Sequence, residues 1–296
     1  MQLNKINGNT YYINSPTNIG VFAYKNKNCL LVDTGINSSA ARKIDAVLSG
    51  SSLHPKYILN THSHPDHCGG NSYFRETYTG SVIYASAKEK LYIENLDLRA
   101  NMLFSSLPVK ELKDDCKETY VDFVPDYGEI KINDEKFEII QLKGHSPEGI
   151  GLITKDRVCF LGDSIFSETV LEKYSFPYLF NIEESLKTLD RIMEIDSDYF
   201  VVSHSEEAYS PDKIRRLATR NKDNINDYLF QILELLDKPH SKEELLESLI
   251  VLNSLQVSYR QYHINFSSMS SFISYLCNKG EVSYSAENGK VYYYKA

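Results

Sequence analysis

Nowhere in the 296 residues does an apolar run approach the ~18 residues that cross a bilayer, so no membrane span is expected. The start, Met1 to Gly8, has neither the basic opening nor the continuous apolar stretch of a secretory signal. Cysteine is scarce: five, an odd number in no regular spacing, which excludes a disulfide framework and suits a reducing cytosol. Positive charge is in deficit as well. Lys and Arg number 32 against 40 Asp and Glu, a formal charge of −8, so the surface as a whole should repel DNA, RNA and anionic membranes. Internal repeats and low-complexity tracts are absent. What is there is an ordinary globular balance, 42% hydrophobic and 24% charged, long enough for one large domain or a large domain with a small companion.

Over the first two-thirds, short β-rich runs alternate with amphipathic helical stretches, which reads as α/β with helices covering sheets. Strands are expected at 11–13, 21–24, 29–33, 57–60, 81–85, 129–132, 136–141, 149–153, 158–161 and 199–203. Helices are expected at 40–48 and after Asn181, an N-cap followed by Ile182, Leu186, Leu189 and Met193 on one face. From Pro211 the texture turns helical: Ile225, Leu229, Ile232 and Leu236 form a stripe that Pro239 stops. A capping box, Ser241 with Glu244, opens the next helix, and a further helix carries Met269, Phe272, Ile273 and Leu276 before Gly280. Two strand-like runs then flank Asn288-Gly289, a hairpin signal. The expected organisation is a domain over 1–210, connecting helices over 211–238 and a small winged-helix-like module over 239–296.

The chemistry concentrates just after the strand at 57–60. His62, His64, Asp66 and His67 fall within six positions, and imidazole and carboxylate are the ligands of zinc and similar borderline metals. An extended segment sends alternate side chains the same way, so His62 and His64 can grip one ion. Beyond Pro65, Asp66 and His67 are offset toward a second. Two ions need further ligands, and His145, Asp163 and His204 each follow a different expected strand. His54, His240 and His263 have no such placement and read as ordinary structural residues.

The set His62-x-His64-x-Asp66-His67, His145, Asp163 and His204, preceded by Val32-Asp33-Thr34-Gly35, resembles the metallo-β-lactamase fold hydrolases over roughly residues 8–206. The resemblance implies an αβ/βα sandwich with two divalent metal ions between its sheets, zinc first, with iron or manganese as alternatives. It assigns His62, His64 and His145 to one ion, Asp66, His67 and His204 to the other, and Asp163 as a bridge. Asp33 then matches a structural aspartate near the site; a turn residue closing its strand is the equally good local reading. Two ions about 3.5–4 Å apart would bring a bridging water toward a pKa of ~7, a hydroxide nucleophile, with Asp66 as the catalytic residue that orients it and moves its proton.

Departures narrow the branch. The turn after His145 reads Gly144-His-Ser-Pro-Glu148, with an acid where a glycine is frequent, and Ser203 and Ser205 flank His204; both put a close copy of the glyoxalase II substrate site in doubt. A histidine at position 64 argues against the diiron flavoprotein branch. The expected function is a cytoplasmic metal-dependent hydrolase of a small acyl compound, a thioester or lactone. An iron-dependent persulfide dioxygenase of the same fold and an RNA endonuclease are the alternatives.

Around the site, the apolar residues of the 88–128 insertion (Leu91, Ile93, Leu96, Leu98, Met102, Leu103, Phe104) are expected to be core before lid, and Cys68 a small buried hydrophobe. The aromatics of 164–180 are better placed to wall a pocket, with Tyr174 or Tyr178 as an oxyanion donor or plain packing. The C-terminal module balances five basic against five acidic side chains, and its expected recognition helix, 267–279, has one basic residue. It should therefore not bind DNA but dock through its tyrosines on the hydrolase domain or on a second subunit, giving a homo-oligomer in the latter case.

Overall fold

Two β-sheets carry the metal-site loops, and in each the strands alternate between two apolar environments. The computed structural model describes residues 1–296. The first sheet holds β1 (Leu3–Asn7), β2 (Thr10–Ile13), β3 (Ile19–Ala23), β4 (Asn28–Val32), β5 (His54–Leu59) and β6 (Val82–Tyr84) in chain order. Its first four strands are antiparallel neighbours, and β4, β5 and β6 run parallel. Period-two alternation explains the layering. Phe22, Leu30, Val32 and Leu59 face inward, while Ile19, Val21, Cys29, Leu31 and Ile58 face helices α1 (Ser38–Gly50), α2 (Pro65–Cys68) and α3 (Asn71–Thr77).

Two short helices, α4 (Ala87–Glu94) and α5 (Leu96–Phe104), precede the second sheet. That sheet has the order β11-β10-β9-β8-β7, from β7 (Gly128–Ile132), β8 (Glu135–Gln141), β9 (Ile150–Thr154), β10 (Val158–Phe160) and β11 (Tyr199–Val201). Ile132, Phe137, Ile139, Leu152 and Phe160 meet the first sheet's inner face. The approach is close: a Cβ on Gly20 would stand 2.5 Å from the Phe160 ring. Ile140, Cys159, Leu161 and Phe200 point the other way, toward α6 (Glu168–Lys173), α7 (Ile182–Glu194) and α8 (Pro211–Leu235). The Asn181 side chain caps α7 by accepting from Glu184 N–H.

Beyond α8 come α9 (Lys242–Leu252), α10 (Tyr259–Asn278) and the hairpin β12 (Val282–Glu287) with β13 (Lys290–Lys295). The Ser241–Glu244 capping box is fully formed, and Asn288 and Gly289 take the positive φ of 51° and 79° that the two-residue turn requires. His240 bridges Tyr293 on the hairpin, which completes a winged-helix-like order of helix, bridge, two helices and hairpin. Three expectations are corrected. α10 begins at Tyr259, eight residues before the expected start, because its first turns are held by contacts with α5 instead of an apolar stripe of their own. β1 was not expected; its outward positions are exposed and leave little pattern. Most of the 88–128 insertion is not core: Ile93 is buried, but Leu91 and Leu98 are 52% and 44% exposed. Two charged side chains of its helices, Glu89 and Arg99, are buried beside Ile93.

Candidate metal centre

Every residue singled out for metal binding follows the carboxyl end of a strand, and the sheets bring those ends to one rim. His62 to His67 follow β5, His145 follows β8, Asp163 follows β10 and His204 follows β11. The ligand atoms of His62, His64 and His145 form one group, and those of Asp66, His67, Asp163 and His204 a second, each within 4.8 Å. In the first, His64 Nδ1 lies 3.0 Å from His62 Nε2 and 2.9 Å from His145 Nε2. In the second, His204 Nε2 is 3.3 Å from both Asp66 Oδ2 and Asp163 Oδ2, and His67 Nε2 is 3.4 Å from Asp66 Oδ2 and from Asp163 Oδ1. Asp163 stands between the groups, its Oδ2 also 3.7 Å from His145 Nε2.

The tautomers are set from behind. Asp33 Oδ2 accepts from His67 Nδ1 at 2.7 Å, the Tyr178 carbonyl from His145 Nδ1 at 3.0 Å and the Pro16 carbonyl from His204 Nδ1 at 2.6 Å. Thr61 Oγ1 donates to Asp33 at 2.8 Å, which leaves it to accept from His62 Nδ1 at 3.1 Å. Each of these four rings therefore turns its Nε2 into the site, bare on His62 and His145, and on His67 and His204 the atom at which a bound cation would replace a proton. Lone pairs 3 Å apart repel unless a cation lies among them. Two buried atoms there, His67 Nε2 and Asp163 Oδ1, have no hydrogen-bond partner. Imidazole nitrogens and carboxylates converging on one another are the donor set of zinc-class divalent ions, and the residues fit such ions.

Electrostatics separate the groups. Burial, reinforced by the neighbouring imidazoles, holds His62 well below its usual range and brings His64 down to about 3. Both are neutral ligands at any ordinary pH. In the second group burial also opposes charge, but the carboxylates prevail. Asp163 and Asp66 raise His204 to about 10, Asp163, Asp66 and Asp33 raise His67, and both carboxylates sit well below their usual range.

Local backbone explains why these loops form. Gly144, at φ +126°, passes so close to Ser185 that a Cβ would stand 2.4 Å from it, and its carbonyl accepts from Phe180 and Asn181 N–H. Glu148 turns away from the site: its carboxylate accepts from Lys88 N–H at 2.8 Å and from the Tyr127 hydroxyl at 3.3 Å. Of the two tyrosines considered, Tyr178 packs against the His64 and His145 rings at 5.4 and 5.7 Å, whereas Tyr174 is 39% exposed and lies under Lys173. Asp33 at φ +67° is more than a turn residue, since its carboxylate binds Thr61 N–H, Thr61 Oγ1 and His67. His54, His240 and His263 lie outside both groups.

Sequence reasoning missed Glu89 and Arg99. Glu89, wholly buried, accepts from Ser63 N–H at 2.9 Å, Ser146 Oγ at 2.8 Å and Glu148 N–H at 2.9 Å. Arg99 donates to the Ser63 carbonyl at 2.8 Å. A charged residue in a helix carries no local sign of burial. The only available signal was that both sit in an insertion between two ligand loops.

A four-layer sandwich of two sheets between helices, with paired histidine–aspartate groups on one rim, defines a class of metal-dependent hydrolases. A family model of the Metallo-beta-lactamase superfamily matches residues 13–204, and the chain belongs to that superfamily. It is 25% identical over 179 residues to a hydroxyacylglutathione hydrolase of Prochlorococcus marinus, covering 60% of each chain. With hydroxyacylglutathione hydrolase GloC of Haemophilus influenzae it shares 29% over 147 residues, 47% of this chain and 62% of that one. The chain thus spans about half to three-fifths of the curated relatives it first matches. A metallo-beta-lactamase family protein from Thermus thermophilus superposes with a TM-score of 0.76 at 19% identity, over 97% of this chain and 99% of that one. That likeness concerns the fold, C-terminal helices included. No helix is long and apolar enough to cross a membrane.

Proposed function

We propose that the protein is a binuclear metal-dependent hydrolase of a small acyl substrate, a thioester or lactone. The observation that carries this reading is the complete four-donor group beside the three-histidine group, with Asp163 in reach of both. Divalent ions, zinc first, would be held by His62, His64 and His145 and by Asp66, His67, Asp163 and His204, and would supply Lewis-acid polarisation of water and of a substrate carbonyl. The remaining work falls to the chain. Asp66 is partly exposed at the mouth, and Thr17 Oγ1 holds its Oδ2 at 2.9 Å, so it is placed to take a proton from the attacking water and return it to the leaving group. The Tyr178 ring, 5.4 Å from His64 and 5.7 Å from His145, walls the three-histidine group. Phe166, buried and 5.6 Å from the His145 ring, gives that group an apolar neighbour.

The thioester class is supported by relatives whose names specify hydroxyacylglutathione, a glutathione thioester. An iron-dependent persulfide dioxygenase of this fold would keep the same histidine pattern but use one iron, and metal analysis with oxygen uptake separates it from a hydrolase. An RNA endonuclease needs free cations near the site, and the one arginine of α10, Arg260, is engaged with Asp114 at 3.2 Å. Five free thiols support a cytoplasmic setting.

Metal analysis of freshly purified protein, followed by thioester, lactone, ester and single-stranded RNA substrates, tests the reading. Two ions per chain and thioester or lactone turnover are expected, and Asp163→Ala should lose most activity and loosen its metal. A single tightly bound iron, with wild-type hydrolysis in that variant, would overturn it.

A further inference from the structure

We infer that Glu89 and Arg99, on the inserted helices α4 and α5, are positioning residues that hold the His62/His64/His145 group in register. The inference rests on the binuclear reading and adds residues that touch neither metal ligand nor substrate. Its core is the peptide of Ser63, the residue between two ligands. Glu89 Oε2 takes its N–H at 2.9 Å and Arg99 Nη1 gives to its carbonyl at 2.8 Å, so a carboxylate holds the peptide link from His62 and a guanidinium the one to His64. The other Glu89 oxygen accepts from Ser146 Oγ and Glu148 N–H, at 2.8 and 2.9 Å, just after the ligand His145. One carboxylate therefore ties together the two loops that supply all three histidines of that group.

The energetics argue against mere packing. Glu89 is 0% exposed, and no ion pair offsets its charge; its partners are two peptide N–H groups and a hydroxyl. A buried carboxylate of this kind is costly, and an apolar side chain would fill the space more cheaply. What the carboxylate gives, and an apolar side chain cannot, is three acceptor positions aimed at two separate loops. Arg99 is anchored in turn: Nε bonds Asp114 at 2.9 Å, Nη2 bonds Cys116 at 2.6 Å, and Asp114 also binds Arg260 of α10. The second group has separate supports, Asp33, Thr17 and the Pro16 carbonyl. Loss of the Glu89 grip should therefore fall on one group.

The test measures Zn(II) affinity of the full chain by chelator competition, with Glu89→Gln placed in two backgrounds. His204→Ala isolates the three-histidine group and His145→Ala the other. Glutamine keeps the volume but turns donors toward the N–H groups. It should weaken binding about 10–100-fold in the His204→Ala background and less than about threefold in the His145→Ala background, with a matching change in the visible Co(II) spectrum of the former. Equal losses in both, or none in the first, would overturn the inference. If Glu89→Gln does not fold, Ser146→Ala removes a single donor and must show the same selectivity. The wild-type chain serves as the separate control: fewer than two ions there sinks the binuclear reading, while two ions with an indifferent Glu89→Gln sinks only this inference.

Discussion

One carboxylate, Asp33, shows how much a single residue can order. At φ +67° it occupies the left-handed region that Asp and Asn tolerate better than other side chains, and this aims its oxygens back over the ligand loop. Asp33→Asn should keep that backbone and the Thr61 N–H contact yet lose the charged Oδ2 that accepts from both His67 Nδ1 at 2.7 Å and Thr61 Oγ1 at 2.8 Å. We expect about 10–100-fold weaker metal retention in the second group, read by dialysis against a graded chelator, with a smaller loss in the three-histidine group, where Asp33 acts only through Thr61 on His62. Cys68 is also more than filler. Its Sγ lies 3.3 Å from both the Ser63 carbonyl and Arg99 Nη1, and burial pushes the thiol up to about 12. It should therefore resist alkylation at neutral pH in the native protein and react once urea unfolds it. Rapid labelling of native Cys68, located by peptide mapping, would contradict that placement.

Among the elements, α10 does most to join the C-terminal part to the rest. Ser268 Oγ accepts from Leu179 N–H at 3.0 Å and donates to the Pro177 carbonyl at 3.0 Å, within the segment that leads to Tyr178. Phe272 from the same helix is 1% exposed and sits 5.2 Å from the Phe176 ring and 6.4 Å from Tyr228. Removing that ring leaves a cavity among aromatics that cannot easily collapse, so Phe272→Ala should cost about 3–5 kcal/mol in urea denaturation. A loss below about 1 kcal/mol would mean the helix packs less firmly than its contacts indicate.

For the molecule as a whole, the core does not stop at the expected module. One apolar cluster runs from Ile140, Leu161 and Phe200 of the second sheet through Ile225, Leu229 and Ile232 of α8 to Leu245, Leu249, Met269, Phe272 and Leu276. The module thus docks on the sandwich within its own chain mainly by apolar contact, with the Arg260–Asp114 ion pair beside it. Deleting residues 239–296 should uncover the α8 stripe and drive the remainder into aggregates, seen by sedimentation velocity. A soluble, monodisperse remainder with the wild-type thermal transition would show that the cluster is not one cooperative unit.

What the sequence by itself determined was the chemistry and most of the frame. His62, His64, Asp66 and His67 are local, metal ligation restricts the residue types, and strand periodicity placed His145, Asp163 and His204 at strand ends. The Asn181 cap, the Ser241–Glu244 box and the Asn288-Gly289 turn were legible for the same reason: each is an interaction within a few residues. Only the tertiary structure decided that Asp33 supports His67, that the insertion exposes Leu91 and Leu98 but buries Glu89 and Arg99, and that α10 begins at Tyr259 against α5. Those outcomes depend on partners 15 to 165 positions apart, such as Arg99 with Asp114 and Ser267 with Met102. Hydrophobic period and capping chemistry encode neighbours three or four residues away, whereas a buried charge acquires its meaning from partners the fold alone brings to it.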